Sequence, residues 1–342
     1  MDYCRSQPTK VRHRGQLKLL LSEMVFLPPY RGSPHVVVYA GAAPGLHVPI
    51  LASMFPEMRF LLIDPHPSAI VDGQLENVVT IEAYMTDQMA DELGQKYSSV
   101  LFISDVRVGI PVEEEPMELP KDHQMRVHRD MVAQMGWYRR LKPKAGLLKF
   151  RLPWDLEQST TYLQGIILFP VYGRPFTHES RLLVTSPNPK LSTYNNSVYE
   201  RQMAHFNRVT RPATYTGGKC YDCTAFASVV ATYMGTQPRA QSVYLECRRI
   251  EKELALITAS WASVVIERKK RGVAITLPTQ TSTCDRLLAP HTDTVEVEEV
   301  VSTRGPVLGV EARNVITVEI EQHGVSEMDV GAASVVLCSS AE

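Results

Sequence analysis

The run His35-Val-Val-Val-Tyr-Ala40 restricts the fold most, because it passes without a break into Gly41-Ala-Ala-Pro-Gly45 and then into a segment of helical spacing that lasts to Phe55. A short β-branched stretch closed by a glycine turn is a buried strand, and a helix directly after it must cross back over the sheet. The pattern recurs. Arg59-Phe-Leu-Leu-Ile-Asp64 and Ser99-Val-Leu-Phe-Ile-Ser-Asp105 are apolar runs that each end on an acid, with Val78-Val-Thr-Ile-Glu82 between them. Helical patterns over residues 15–27, 87–97 and 122–141 alternate with these strands, and Pro28-Pro29 stops the first. Such alternation predicts an α/β fold with a mostly parallel sheet and helices on both faces. Ligands of these sheets bind outside the carboxyl ends of the strands, where the glycine turn and both acids fall.

Further strands are expected at 145–151, 165–172 and 180–185, and helices at 198–209 and 239–271. Residues 113–118 read as a solvated acidic loop. Beyond Gly272 the pattern changes to short β-like alternations such as Thr294-Val-Glu-Val-Glu298. The predicted organisation is a catalytic domain over 1–236, a helical segment over 237–271 and an acidic β-rich extension over 272–342. Charge supports that division. Residues 272–342 hold 3 basic and 11 acidic residues, a net of −8, which leaves 33 basic against 26 acidic in the rest, a net of +7. A basic body suits a polyanion such as RNA, since fixed cations displace counterions from phosphates. No apolar run approaches the roughly 18 residues of a membrane span, and the polar start lacks a secretory signal, so the expected compartment is reducing and the six cysteines thiols. Cys220 and Cys223 lack the second pair that zinc needs, and no metal is expected.

The glycine loop narrows the ligand. It lacks the G-x-G-x-x-G spacing that brings backbone against a pyrophosphate, which disfavours a hydride-transferring dehydrogenase. Small residues there suit an adenosine-containing ligand without a phosphate cradle, for which S-adenosylmethionine is the cofactor expected. Asp64 is placed to accept both ribose hydroxyls.

Six blocks in order carry a closer likeness: Gly15-Gln-Leu-Lys-Leu-Leu-Leu21, Val38-Tyr-Ala-Gly-Ala-Ala-Pro-Gly-Leu-His47, Leu62-Ile-Asp64, Ile103-Ser-Asp-Val-Arg107, Leu148-Lys-Phe-Arg-Leu-Pro-Trp154 and Glu179-Ser-Arg-Leu-Leu183. They resemble the cap-specific mRNA 2′-O-methyltransferases of poxviruses and their kinetoplastid relatives, over about residues 15–234. The resemblance implies a Rossmann-like class I methyltransferase sheet and a catalytic tetrad of Lys18, Asp105, Lys149 and Glu179. A ribose hydroxyl is a poor nucleophile until its proton leaves or its growing charge is stabilised, so the protein must supply base, charge and alignment. Lys149 is expected to contact the hydroxyl, with Lys18 as a neighbouring cation that favours a neutral amine. Asp105 and Glu179 are expected to position them.

For the methyl donor the resemblance implies contacts from Gln16, Tyr39, Gly41, Pro44, Gly45, His47, Asp64, Asp105, Val106 and Arg107, with adenine near Tyr84 and Met85. His66 stands where the poxvirus pattern has arginine. For a positively charged 7-methylguanine between aromatic faces, it implies Trp154 and Tyr3 as stacking rings and Asp155 and Glu200 as acids, with Asp155 one residue early. Arg139, Arg140, Lys142, Lys144, Arg151, Arg174, Arg208 and Arg211 are candidates to track transcript phosphates. Arg268-Lys-Lys-Arg271 reads as a nuclear import signal or an RNA patch.

The expected partner is capped mRNA, with mRNA-processing proteins besides and no membrane. The expected location is the nucleus for a cellular chain, or cytoplasm or virion for a viral one. Two alternatives stay open: a 2′-O-methyltransferase of uncapped or ribosomal RNA, and a non-catalytic RNA-holding subunit, since the poxvirus relative also serves polyadenylation.

Overall fold

A computed structural model describes residues 13–70, 73–107, 121–154, 158–173, 176–216, 219–270 and the pairs 316–317 and 336–337. In chain order the elements are α1 (His13–Phe26), β1 (Val36–Ala40), α2 (Val48–Met54), β2 (Arg59–Ile63), β3 (Val78–Ile81), α3 (Asp87–Lys96), β4 (Val100–Ser104), α4 (Lys121–Leu141) and β5 (Ala145–Phe150). Then follow β6 (Ser159–Leu163), β7 (Ile166–Leu168), β8 (Ser180–Val184), β9 (Leu191–Asn195), α5 (Asn196–His205), α6 (Arg211–Ala213), β10 (Tyr215–Thr216), β11 (Lys219–Cys220), α7 (Tyr221–Met234) and α8 (Gln241–Lys270). The pairs β12 (Ile316–Thr317) and β13 (Val336–Leu337) form an antiparallel bridge. The rest of the acidic extension lies outside the described residues.

The main sheet runs β3-β2-β1-β4-β5-β8-β7. Its first five strands are parallel, and β8 is antiparallel to both β5 and β7. This is the expected doubly covered α/β sheet. The β-branched residues of β1 alternate between its faces: Val37 and Tyr39 enter a core with α1, α2, α7 and α8, whereas Val38 and Ala40 enter one with α3 and α4. Strand order reverses at β1, between β2 and β4, and a crevice forms at such a reversal beyond the carboxyl ends.

Three local expectations changed. The strand expected over 165–172 is only Ile166–Leu168, because it is an edge strand and Pro170 has no amide hydrogen to extend it. Strands β6 and β9 pair with each other outside the main sheet, a partnership between segments far apart in sequence. Helix α7 is not among the expected elements; its apolar residues are spread round the cylinder, and Tyr221, Phe226, Val229, Val230 and Ala231 are all buried. Helix α8 buries Val243, Ile250 and Leu254 in the same core as Leu17 and Leu20 of α1.

Candidate active site

The ends of β1 and β4 are stitched together by the Asp105 amide, which donates to the Ala40 carbonyl at 2.9 Å. Gly41 follows with φ +78°, and a Cβ on it would lie 2.7 Å from the Val106 nitrogen. Only glycine permits both the backbone angle and the approach. Gly45 also has positive φ, and the Pro44 carbonyl accepts from the Ala69 amide at 2.8 Å, so the loop is pinned on both sides. Asp64, just beyond β2, accepts from the Ala43 amide at 3.1 Å through Oδ2 and from the His66 amide at 2.8 Å through Oδ1. It lines a small cavity with Ala42, Ala43, Ser68 and Glu82. Each carboxylate oxygen retains a lone pair, so the edge suits a ribose whose two hydroxyls donate to one acid. Beyond β3, Tyr84 is 56 % exposed and Met85 is buried. Val106 is half-buried, and Arg107 lies 3.5 Å from Asp130 of α4.

Gln16, Tyr39 and His47 meet around a residue the sequence did not single out. Glu23 of α1, Tyr39 and His47 are each 1 % exposed. Glu23 Oε1 accepts from the Tyr39 hydroxyl at 2.7 Å and lies 3.0 Å from His47 Nε2, while His47 Nδ1 lies 2.8 Å from Gln16 Oε1. Tyr39 and His47 thus hold the loop from below, and Gln16, half-buried, is the member nearest solvent.

The structure brings the tetrad together from four distant segments. Lys18 of α1 donates to Glu179 Oε1 at 2.5 Å, and Lys149 of β5 lies 3.1 Å from Asp105 Oδ1 and 3.4 Å from Glu179 Oε2. A fifth charge completes the cluster. Arg181 is the direct cross-strand partner of Lys149 between β5 and β8, and its guanidinium forms ion pairs with Asp105 at 2.7 Å and Glu179 at 3.4 Å. Like charges opposite each other in a ladder repel, and here both carboxylates meet both cations. Burial by itself would raise the Asp105 carboxyl, but Arg181 and then Lys149 outweigh it and hold the group below its ordinary value. Glu179 likewise resists burial through Lys149, Arg181 and Lys18 and sits well below the usual range. Lys18 contacts Glu179, so the cation facing Lys149 across the ladder is Arg181.

Next to the cluster, the Trp154 ring meets His178 edge-on at 4.8 Å, and the Arg151 guanidinium lies 4.8 Å from its centroid. The Trp154 amide donates to Gln124 at 2.9 Å. His178 is held below its ordinary value by burial, with Glu200 of α5 opposing and Arg151 reinforcing. Trp154 and Glu200 therefore share one neighbourhood, to which the structure adds His178. Tyr3, Asp155 and Arg174 lie outside the described residues. Among the basic residues, Arg140 pairs with Asp87 and Asp91 at 3.0 and 2.7 Å, and buried Arg211 donates to the carbonyls of Gly173 and Pro170. Those two serve the fold. Arg208 lies over Phe176, which is 73 % exposed.

Residues 1–223 match the family described as poly A polymerase regulatory subunit. The chain is 29 % identical over 223 residues to the cap-specific mRNA (nucleoside-2′-O-)-methyltransferase of myxoma virus strain Lausanne, covering 60 % of this chain and 63 % of that protein. It is 30 % identical to the protein of the same name from fowlpox virus strain NVSL, covering 60 % and 70 %. The chain thus spans 63 % of the length of its myxoma relative. The structure of bluetongue virus VP4, titled as an RNA-capping production line, aligns with TM-score 0.42 and 16 % identity over 59 % of this chain and 32 % of that one.

Proposed function

The chain belongs to the poly A polymerase regulatory subunit family, and from that membership we propose that it transfers a methyl group from S-adenosylmethionine to the ribose 2′-hydroxyl of a cap-proximal nucleotide of capped mRNA. The observation that carries this reading is the cluster of Lys18, Lys149 and Arg181 around Asp105 and Glu179, one residue from the backbone that meets Gly41. Bound at that loop, S-adenosylmethionine supplies a methyl group already activated on sulfonium. Gly41 would let backbone approach it, Asp64 would receive the ribose hydroxyls, and Tyr84 and Met85 would lie by the adenine. Lys149 would meet the RNA hydroxyl and align its oxygen toward the methyl group, with the hydroxyl proton passing to solvent water as the oxygen–carbon bond forms and S-adenosylhomocysteine leaves. Three cations against two carboxylates leave one positive charge in excess, which stabilises the negative charge growing on that oxygen. Asp105 and Glu179, kept ionised, hold the cations in place. Trp154 offers the ring for a cationic base and Glu200 the acid.

The proposed partners are capped mRNA and proteins that process it, in the nucleus for a cellular chain or in cytoplasm or virion for a viral one. Methyl transfer to RNAs ending in guanosine, cap 0 and cap 1, followed by mapping of the modified ribose, tests the activity. Lys149→Ala is expected to lower the rate at least about 100-fold with RNA binding retained, and unchanged methylation would sink the mechanism. Trp154→Ala is expected to erase the preference for capped over uncapped RNA. The family's description as a regulatory subunit favours a second reading, an RNA-holding subunit, which an inactive wild-type chain that still binds RNA would support.

A further inference from the structure

Helices α7 and α8 form an antiparallel hairpin with one end at the level of the charge cluster. Asp222, in the first turn of α7, accepts from the Tyr172 amide at 2.8 Å, and the Arg14 guanidinium lies 5.5 Å from the Tyr172 ring. Arg14 precedes Lys18 by about one helical turn, which fixes that level. At the other end of α7 the Tyr233 hydroxyl donates to the Met54 carbonyl at 3.3 Å, where α2 finishes on the side from which the strands begin. The chain turns there over residues 235–240, and α8 climbs back. Its Val243, Ile250 and Leu254 are buried in the core with α1. Burial raises the Glu251 carboxyl against the charges of Arg248 and, from α1, Arg14. At Glu251 the helix has therefore regained the level of the cleft, yet it continues to Lys270. That stretch adds about 28 Å at about 1.5 Å per residue. No residue from Ala255 to Val264 is buried, and Leu256 and Val264 are 63 % and 38 % exposed. Between Glu253 and Glu267 the sequence has no charged residue, and Arg268, Lys269 and Lys270 occupy the last turn, with Arg271 after them. The whole of α8 lies beyond residues 1–223, which match the family.

We propose that the half of α8 beyond Leu254 is an arm that binds single-stranded RNA downstream of the nucleotide at Lys149, with the basic run on its phosphates. This rests on the reading of the cleft as an RNA site. Trp154 is tied to α4 through Gln124 on one face of the sheet, and α1 and α8 lie on the other face, with Lys149 of β5 between them. A transcript capped at Trp154 and presenting a ribose at Lys149 continues past Lys18 and Arg14 to the arm. Fixed cations at its end displace counterions from phosphates, and the stretch without acids offers the strand no repulsion. The helix dipole favours cations in a last turn whatever they meet, so the test turns on RNA length.

The full chain is compared with a variant carrying Arg268→Gln, Lys269→Gln, Lys270→Gln and Arg271→Gln, in which every replacement is a good helix former. The probes are two capped RNAs, of about 3 and about 30 nucleotides, the first shorter than the roughly 4–16 nucleotides of a single-strand groove. For the long RNA the variant is expected to bind at least about tenfold more weakly at low salt. The slope of log affinity against log salt should become shallower by about 3, four phosphates at about 0.7 each. Affinity for the short RNA and its rate of methylation stay at wild-type values. Wild-type affinity and slope for the long RNA overturn the proposal and leave the basic run to a protein receptor or to the acidic extension. Equal losses on both lengths overturn it too, because the run would then act through the fold. The wild-type chain keeps the two readings apart: if it methylates the short RNA but binds the long one no better, the arm alone fails, and if it binds neither RNA, the reading of the cleft fails as well.

Discussion

At the scale of single residues, Arg181 shows how one buried charge governs a site. Its side chain is 4 % exposed and it pairs with both tetrad carboxylates. Burial alone would lower its guanidinium, yet Asp105 and Glu179 more than reverse that and drive it upward. Removing one partner from such a group leaves charge buried without compensation, so Arg181→Leu is expected to cost about 3–5 kcal/mol, read from urea unfolding. A loss below about 1 kcal/mol would mean that water already screens the cluster. The carboxylates carry their own pH signature. Both are depressed, so their contribution to stability is present above their ordinary values of 3.8 and 4.5 and disappears only as pH falls through the lower folded values. Above about pH 5 these two groups leave stability flat. Lys18, Asp105, Lys149 and Glu179 were all legible as motif residues. Arg181 lies inside the Glu179–Leu183 block with no expected role, because its role depends on which strand lies beside β5.

At the scale of elements, the meeting of β1 and β4 sets the cleft, and Gly41 is the point where their ends touch. Gly41→Ala places a methyl group 2.7 Å from the Val106 nitrogen at a backbone angle that side chains disfavour. The expected result is a loss of about 1–3 kcal/mol in stability and at least tenfold weaker methyl-donor binding, measured by thermal unfolding and calorimetry. Normal binding would show that the two strand ends part easily. The parallel strands were readable because each is a continuous apolar run. The β6–β9 pair was not, since Ser159-Thr-Thr-Tyr-Leu163 is weakly patterned and its partner lies 28 residues beyond it. Helix α7 escaped for the opposite reason, being apolar on too many sides to show a face.

At the scale of the molecule, three buried or half-buried histidines act together. His35, His123 and His178 are all held below their ordinary value of 6.5, each chiefly by burial with neighbouring cations reinforcing, although Glu200 opposes the shift at His178. The unfolded chain therefore binds more protons than the folded one just below pH 6.5, and stability must fall as the solution is acidified through that range. A series of melting temperatures from pH 7.5 to 5 is expected to decline steadily, and a flat series would show that these rings titrate as they do in free solution. The charge asymmetry of the chain belongs to the same scale. A body of net +7 should bind RNA with an affinity that drops steeply with salt.

The sequence alone determined the alternation of β-branched runs with helices, the glycine turn at the sheet edge, and the acids and lysines standing at strand ends. These are local properties, set by side-chain shape, backbone freedom and spacing. Only the tertiary structure decided that Glu179 reaches Lys18 across 161 positions, that Arg181 faces Lys149, that His178 borders Trp154, and that Glu23 lies under the glycine loop. Burial and ion pairing depend on which segments meet, and no local pattern in a single chain records that.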